Sequence, residues 1–219
     1  MSITEEGLRE ELFATALEMG RSGLNVGTSG NASVRWGTGL LITPSGIAAS
    51  ACTPTDMVEL DSGGSATGTL APSSEWQLHR DIYAACPGAG AILHAHSPFA
   101  TALACQRRHI PAFHYMIARF GGTDVRCAPY ATFGTQALSD AAVAALVDRS
   151  ACLLANHGMV VFGRDLAHAL AQAIEFETLC EQYWRTLQLG DPVLLSAAEM
   201  TEVIERFRWY GRPRDASAS

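Results

Sequence analysis

The chain has 219 residues, 48% of them hydrophobic and 17% charged, which is enough to bury one sizeable core. Its formal net charge of -7, from 15 basic and 22 acidic residues, argues against a nucleic-acid-binding surface. The first twenty residues resemble neither a signal nor a transit peptide, and no run approaches the roughly 20 apolar residues of a membrane helix. We therefore expect a cytoplasmic protein, with no nucleic-acid or membrane partner, that forms one domain over 1–219 with a tail from about 205. Its six cysteines include no CxxC pair and are expected to be buried free thiols.

The N-terminal third of the chain predicts one helix followed by short strands. Apolar residues at helical spacing from Thr4 to Ser22 indicate an amphipathic helix, which Thr4 caps and Gly20 ends. The turn-rich segment that follows is typical of short strands around a polar loop. Strands are expected at 40–43, 57–60 and 69–71, the last two joined by a Gly- and Ser-rich hairpin tip over 61–69.

The rest of the chain alternates helices with short apolar strands. Helices are expected after Ser73-Ser74-Glu75 and over 99–105, 138–147, 165–189 and 197–207, and strands over 91–96 and 151–155. Because these elements lack the regular strand–helix alternation of a doubly wound parallel sheet, we expect an α/β sandwich. Its central sheet is predicted to be mixed or antiparallel, with helices on both faces.

Histidines on two predicted strands are candidate metal ligands. His94 and His96 are two residues apart, and period-two geometry sends both rings to one face of the sheet. His157 follows a second buried strand, and three histidines would leave an open coordination position, as a Lewis-acid zinc requires. The other histidines, expected to be structural or exposed, are His79, His109, His114 and His168.

Glu75 permits two interpretations, since it precedes a helix and also follows two serines. It could cap the helix, or it could serve as a general acid/base beside the metal. Three small polar turns, which are Gly30-Asn31, Ser45-Gly46 and Ser73-Ser74, each offer N–H groups and hydroxyls of the kind that hold a phosphate. Each turn alone is a weak signal.

Taken together, five motifs in this order resemble the class II aldolase/adducin family, and within it the fuculose-phosphate aldolase branch. They are Gly30-Asn31-Ala-Ser33, Thr43-Pro-Ser-Gly46, Pro72-Ser-Ser-Glu75, His94-Ala-His96 and Asn156-His157-Gly158. The similarity spans roughly residues 8 to 190 and includes the segments 127–134 and 177–184. It implies a metal-dependent aldolase that cleaves a ketose 1-phosphate into dihydroxyacetone phosphate and an aldehyde through a zinc-bound enediolate.

The resemblance also implies roles for individual residues. Zinc, or another divalent ion such as cobalt or manganese, would be held by His94, His96 and His157, with Glu75 as acid/base and resting-state ligand. The phosphate would lie against Gly30, Ser45, Gly46, Ser73 and Ser74, and Asn31 would hydrogen-bond the enediolate. Family members of this branch are homotetramers with active sites at subunit interfaces, where Tyr115 would assist, Phe133 would line the aldehyde side and Tyr210 of the tail would close over the site.

Other functions within this resemblance stay open. Glu75 speaks against the related epimerases, which carry an Asp at the corresponding position. A sugar-phosphate dehydratase or decarboxylase, such as a methylthioribulose-phosphate dehydratase, would use the same metal site, and an adducin-like module would have lost the chemistry. For an aldolase, the candidate substrates are fuculose 1-phosphate, ribulose 1-phosphate, 5-deoxyribulose 1-phosphate and 5-methylthioribulose 1-phosphate, the last two belonging to salvage of nucleoside by-products.

Overall fold

One eight-stranded mixed sheet lies at the centre of the chain, and helices cover both of its faces. The structure is a computed structural model that describes residues 4–207 and residue 209. The strand order is β4-β3-β2-β1-β5-β8-β7-β6, and neighbours pair antiparallel except that β6 runs parallel to β7. The strands are β1 Asn31–Trp36, β2 Gly39–Ile42, β3 Val58–Leu60, β4 Ala66–Thr67, β5 Ala91–Ala95, β6 Arg126–Ala128, β7 Ala151–Leu154 and β8 Gly158–Gly163. The expected α/β sandwich is confirmed.

Successive side chains of each strand point to opposite faces of the sheet, which divides the core into two layers. In β5, Leu93 belongs to the cluster on one face and Ile92 to the cluster on the other. The first cluster packs under α1, α3, α5 and α6, and the second under α2 and α4. The helices are α1 Glu5–Arg21, α2 Trp76–Ala85, α3 Pro98–Cys105, α4 Gln136–Ala145, α5 Leu166–Leu189 and α6 Ala197–Phe207, with a 3-10 helix over Tyr115–Phe120.

The predicted cap of α1 forms at Thr4, and α5 has a cap at Asp165 that was not predicted. The Thr4 hydroxyl accepts a hydrogen bond from the Gly7 N–H at 3.2 Å, and the Asp165 carboxylate accepts one from the His168 N–H at 2.7 Å. Each bond satisfies a backbone donor that the first helical turn leaves unpaired. The helices α1 and α5 begin within one residue of their predicted first residues.

The hairpin after β3 returns earlier than predicted, because β4 covers Ala66–Thr67 rather than 69–71. The Asp61 carboxylate accepts hydrogen bonds from the N–H groups of Gly63 and Ser65, at 2.8 and 2.9 Å. This tight turn around Asp61 uses only the first part of the Gly- and Ser-rich segment, so the second strand of the hairpin begins earlier.

The strands β6 and β8 were not predicted.

Most of the predicted tail, including Tyr210, lies outside the described residues, and residues 205–207 belong to α6. Across the described range, every helix is too short or too polar to cross a bilayer. All six cysteines are free thiols, as expected, and Cys52, Cys152 and Cys180 are buried. The expected burial is wrong for Cys105, which is exposed, and Cys86 and Cys127 are only half-buried.

Candidate active site

The two histidines of β5 present their rings to each other at the end of the strand. His94 is fully buried within β5, and His96 lies one residue beyond its end. Their Nε2 atoms are 2.9 Å apart and their ring centroids 4.8 Å apart. The structure therefore brings the pair onto one face, in the geometry that the period-two spacing predicts.

His157 reaches the same point from the neighbouring hairpin. It lies in the turn between β7 and β8, next to Asn156 at φ 52°, and its N–H donates to Leu154 at 3.0 Å. A Cβ on Gly158 would lie 2.3 Å from the Ala95 carbonyl oxygen, so only glycine allows the hairpin to approach β5 this closely. The ring centroid of His157 is 4.7 Å from that of His94 and 4.8 Å from that of His96.

Glu75 completes the cluster from α2, which covers the face of the sheet that His94 shares with Ile92. Its backbone is the N-cap of α2, but its side chain makes no capping hydrogen bond. The carboxylate is buried instead, with Oε2 3.1 Å from His94 Nε2 and Oε1 3.4 Å from His157 Nε2. Of the two interpretations of this residue, the geometry is that of a carboxylate beside the three histidines and not of a helix cap.

The donor set of this cluster fits a divalent cation. His94 Nδ1 lies 2.9 Å from the Met159 carbonyl oxygen and donates its proton there, so the neutral ring would present its Nε2 lone pair to a metal ion. Without a metal, burial would lower the pKa of this ring, but Glu75 and the Met159 carbonyl outweigh burial and raise it, which favours a second proton on Nε2. Glu75 Oε1 is a buried acceptor without a hydrogen-bond donor. A buried group of acceptors is stable only around a positive charge. In the described chain these three histidines are the group whose ligand atoms, all within 4.8 Å of one another, could hold a metal ion.

The protonation states of the cluster also fit a bound divalent cation. Burial by itself would raise the pKa of Glu75, but the charge and hydrogen bond of His94, the charge of His157 and the hydrogen bond from Asn31 together outweigh burial and lower it. Burial and the charge on His94 lower the pKa of both His96 and His157 to about 4, so these two rings are neutral near pH 7. Neutral imidazoles beside an ionised carboxylate are the protonation states that a metal ion requires.

A cavity of 370 Å³ opens beside this cluster and joins it to the small polar turns. Its walls include the predicted substrate residues, which are Gly30, Asn31, Ser45, Gly46, Ser73, Ser74 and Phe133, together with Glu75, His96 and His157. A β-bridge between Pro44 and Pro72 holds two of the turns side by side. The N–H groups of Ser45 and Ser73 already donate to backbone carbonyls, so these serines offer their hydroxyls to a ligand.

Some predicted residues lie elsewhere. Tyr115 is 49% exposed and is not part of the cavity wall of its own chain. Its ring stacks on that of Phe207, with the two ring centroids 6.4 Å apart. His109 and His114 accept backbone hydrogen bonds in loops, as structural histidines do. His79 is not exposed: it is fully buried behind Asn31.

Four polar wall residues were given no role from the sequence: Thr28, Ser29, Tyr130 and Asn156. The first two lie in the turn that includes Gly30, so their position was a usable signal. Tyr130 lies within the 127–134 segment that contributed to the resemblance, and it is 55% exposed at the mouth of the cavity. No spacing rule connects this loop to the turns it faces, because the contact depends on tertiary structure.

The similarity to known proteins extends along almost the whole chain. Residues 10–184 match the family model described as the class II aldolase and adducin N-terminal domain. The chain belongs to the class II aldolase and adducin family. A 5-methylthioribulose-1-phosphate/5-deoxyribulose-1-phosphate aldolase of Rhodospirillum rubrum is 53% identical, and the match covers 93% of this chain and 92% of that protein. The L-fuculose phosphate aldolase of Escherichia coli K12 is 45% identical over 93% of this chain and 95% of its own length.

Among solved structures, an L-fuculose 1-phosphate aldolase superposes with a TM-score of 0.88 at 39% identity. That match covers 92% of this chain and 96% of the other. With identity and coverage at this level, the chain is an aldolase, and so a lyase, of a metal-dependent family.

Proposed function

We propose that this enzyme cleaves a ketose 1-phosphate into dihydroxyacetone phosphate and an aldehyde, using zinc held by His94, His96 and His157. The supporting observation is one cavity with two chemically different ends. His96, His157 and the buried Glu75 carboxylate line one part of it, with His94 directly behind them, and hydroxyl-bearing turns line another. A substrate with a phosphate next to a carbonyl matches this arrangement.

The composition restricts how such an aldolase can work. None of the 219 residues is lysine, so all 15 basic residues are arginine. An aldolase that forms an imine with its ketose needs a lysine amine, and this chain cannot supply one. The carbanion left by carbon–carbon cleavage must be stabilised by electrostatics, and a divalent ion at the histidines would polarise the ketose carbonyl as a Lewis acid. Cobalt or manganese could replace zinc there, since imidazole accepts several metals.

The chain's own residues account for the proton transfers. When the C3–C4 bond breaks, its electron pair stays on C3, and the Glu75 carboxylate would take up a proton from solvent and deliver it to that carbon. The C4 hydroxyl loses its proton as the aldehyde forms, and Tyr115 would relay that proton to solvent, taking it while releasing its own phenol proton. The Asn31 amide and the serine hydroxyls orient the phosphorylated half, so that the reacting carbons stay aligned.

The aldehyde side of the cavity favours a product that ends in an apolar group. Phe133 and Tyr130 line its wall, and both are more than half exposed at the opening. Apolar rims of this kind prefer a methyl or methylthio end to a hydroxyl. We therefore favour 5-methylthioribulose 1-phosphate and 5-deoxyribulose 1-phosphate, in salvage of nucleoside by-products, over ribulose 1-phosphate, with fuculose 1-phosphate as the third apolar-ended candidate.

The same proposal includes assembly and location. Large apolar side chains are exposed at the end of α5 and beyond, among them Trp184, Leu189 and Val193, and a surface of this kind is suited to subunit contact. We place the active site between subunits of a homotetramer, so that Tyr115 of a neighbour could reach it. The six free thiols fit the reducing cytoplasm.

The test is a comparison of kcat/KM on the four ketose 1-phosphates, with release of dihydroxyacetone phosphate as the readout. We expect the two 5-substituted ribulose phosphates to be cleaved at least about tenfold better than ribulose 1-phosphate, since one methyl contact is worth about that factor. A chelator should abolish cleavage, and zinc should restore it. Loss of water from the sugar phosphate without dihydroxyacetone phosphate would identify a dehydratase, and chelator-insensitive rates would rule out the metal mechanism.

A further inference from the structure

A line of buried side-chain contacts runs from the core to the Glu75 carboxylate. Asn31 Nδ2 lies 3.0 Å from Glu75 Oε2, and Asn31 Oδ1 lies 2.5 Å from His79 Nε2. On the other side of the imidazole, His79 Nδ1 lies 2.6 Å from the Ser33 hydroxyl, which is 2.9 Å from the Tyr83 hydroxyl. All five side chains are buried, and those of His79 and Ser33 have no exposed surface.

Two regular elements hold the Asn31 amide between them. Glu75 and His79 are four residues apart, so one turn of α2 places both on the same side of the helix. Asn31 and Ser33 are two residues apart on β1, and their side chains point to one face of the sheet. The amide nitrogen of Asn31 therefore contacts Glu75, and its carbonyl oxygen contacts His79.

The directions of these hydrogen bonds follow from the carboxylate. An ionised carboxylate only accepts, so the Asn31 NH2 group must face Glu75 and the Asn31 oxygen must face His79. His79 Nε2 then has to carry the ring proton to donate to that oxygen. With Nε2 protonated, Nδ1 is an acceptor, so the Ser33 hydroxyl donates to it and in turn accepts from Tyr83.

We propose that His79 is a positioning residue of this enzyme, whose Nε2–H holds the Asn31 amide with its NH2 group turned toward Glu75 and the cavity. The amide nitrogen has two hydrogens, and the contact with Glu75 uses one. The second is available to a substrate oxygen, which is the link to the proposed function on which this inference rests. Without the donor at His79, the Asn31 oxygen would be a buried acceptor without a partner, and the amide would rotate to find one.

The charge state of the ring supports this assignment. Burial, together with the positive charge on His94, lowers the pKa of His79 to about 3. The imidazole is therefore neutral at working pH and carries a single proton. A ring with one proton can hold only one of its two neighbours as an acceptor, so the position of that proton sets the direction of the whole chain of contacts.

Kinetic comparison of His79→Leu with His79→Gln tests the role. Leucine fills the space without a donor, whereas the Gln amide nitrogen can take the place of Nε2–H. We expect His79→Leu to lose about 10- to 100-fold in kcat with little change in KM, since a misplaced amide affects the transition state more than substrate binding. His79→Gln should recover most of that loss. His168→Leu, at a histidine that lies outside the cavity wall, is the control and should keep normal rates.

Two further measurements keep the outcome decisive. If His79→Leu does not fold, Ser33→Ala takes its place in the test. This variant removes the donor to Nδ1 with a smaller loss of packing, and we expect it to show an intermediate loss of kcat. The nitrogen NMR shifts of the His79 ring in the whole enzyme should show a proton on Nε2 and none on Nδ1. A proton on Nδ1, a His79→Leu enzyme with unchanged kcat, or equal defects in the Leu and Gln variants would overturn the proposal. The ring spectrum decides the orientation even if none of the four ketose phosphates is cleaved.

Discussion

At the scale of single residues, the proposed function gives Glu75 and the three histidines separable tasks. The carboxylate touches two of the imidazoles, yet the histidines alone supply three ligand nitrogens. We predict that Glu75→Gln keeps close to one metal ion per chain and loses about 10²- to 10⁴-fold in kcat, the usual contribution of a general acid/base. Metal analysis after gel filtration and steady-state rates on the same samples measure the two effects.

The matched variant for this prediction is His157→Ala, which removes a ligand and leaves the carboxylate in place. It should lose both metal and activity, and added zinc should restore part of each. If Glu75→Gln lost its metal as completely as His157→Ala, the carboxylate would be chiefly a ligand, and its role in proton transfer would need another residue.

Residues were predictable from the sequence where a short-range rule applies. His94 and His96 could be paired because a strand repeats every two residues, and the cap of α1 follows from the Thr4 side chain alone. The contact between Asn31 and His79 could not be predicted in this way, because it joins β1 to α2 across 48 positions. The sequence shows that His79 is present, but only the packing of α2 against the sheet shows what its ring contacts.

At the scale of elements, the segment after His96 is held by a carboxylate from a distant helix. Glu177 on α5 accepts hydrogen bonds from the Ser97 hydroxyl at 2.6 Å and from the N–H groups of Phe99 and Ala100 at 2.7 and 2.9 Å. These are the first donors of α3, which has no cap from Ser97 itself. A charged partner at a helix N-terminus also complements the helix dipole. Glu177 thereby fixes the direction in which the chain leaves the metal cluster.

Replacement of Glu177 by Gln should destabilise the fold and weaken metal binding together. We expect a loss of about 1.5 to 3 kcal/mol in the free energy of unfolding, the range for hydrogen bonds to a charged group. Thermal unfolding and zinc titration of the apo-protein measure the two quantities. Glu181→Gln, which breaks only the exposed ion pair with Arg185 on the same helix, should change either one little. Equal effects of the two variants would contradict the anchoring role.

Fold elements were predictable where periodicity runs over many residues and not where a tertiary partner defines them. The long helices and the buried strands near 91–96 and 151–155 match the prediction within a few residues. The three-residue strand β6 is defined by its pairing with β7, and β8 by its pairing with β5 and β7. A three-residue strand such as β6 has no pattern of its own that is long enough to detect, whereas the apolar run 159–162 of β8 was a usable signal that the prediction missed.

At the scale of the whole molecule, the question is whether one chain holds a complete site. The cavity wall contains Glu75 and the phosphate turns, but Tyr115 lies outside it on the same chain. If Tyr115 of a neighbouring subunit completes the site, the two residues that move protons come from different chains. The assembly should then have four times the 23.3 kDa mass of the chain, measured by sedimentation equilibrium.

Subunit mixing distinguishes a shared site from a self-contained one. Glu75→Gln and Tyr115→Phe should each be nearly inactive as pure assemblies, since every site lacks one proton-transfer group. In assemblies formed by co-expressing the two variants, some sites combine an intact Glu75 with an intact Tyr115 from the neighbour, and activity should rise about tenfold or more above either parent. Wild-type chains co-expressed with the double variant give the reference for random assembly. Mixed assemblies no more active than their parents would show that Tyr115 acts within its own chain or not at all.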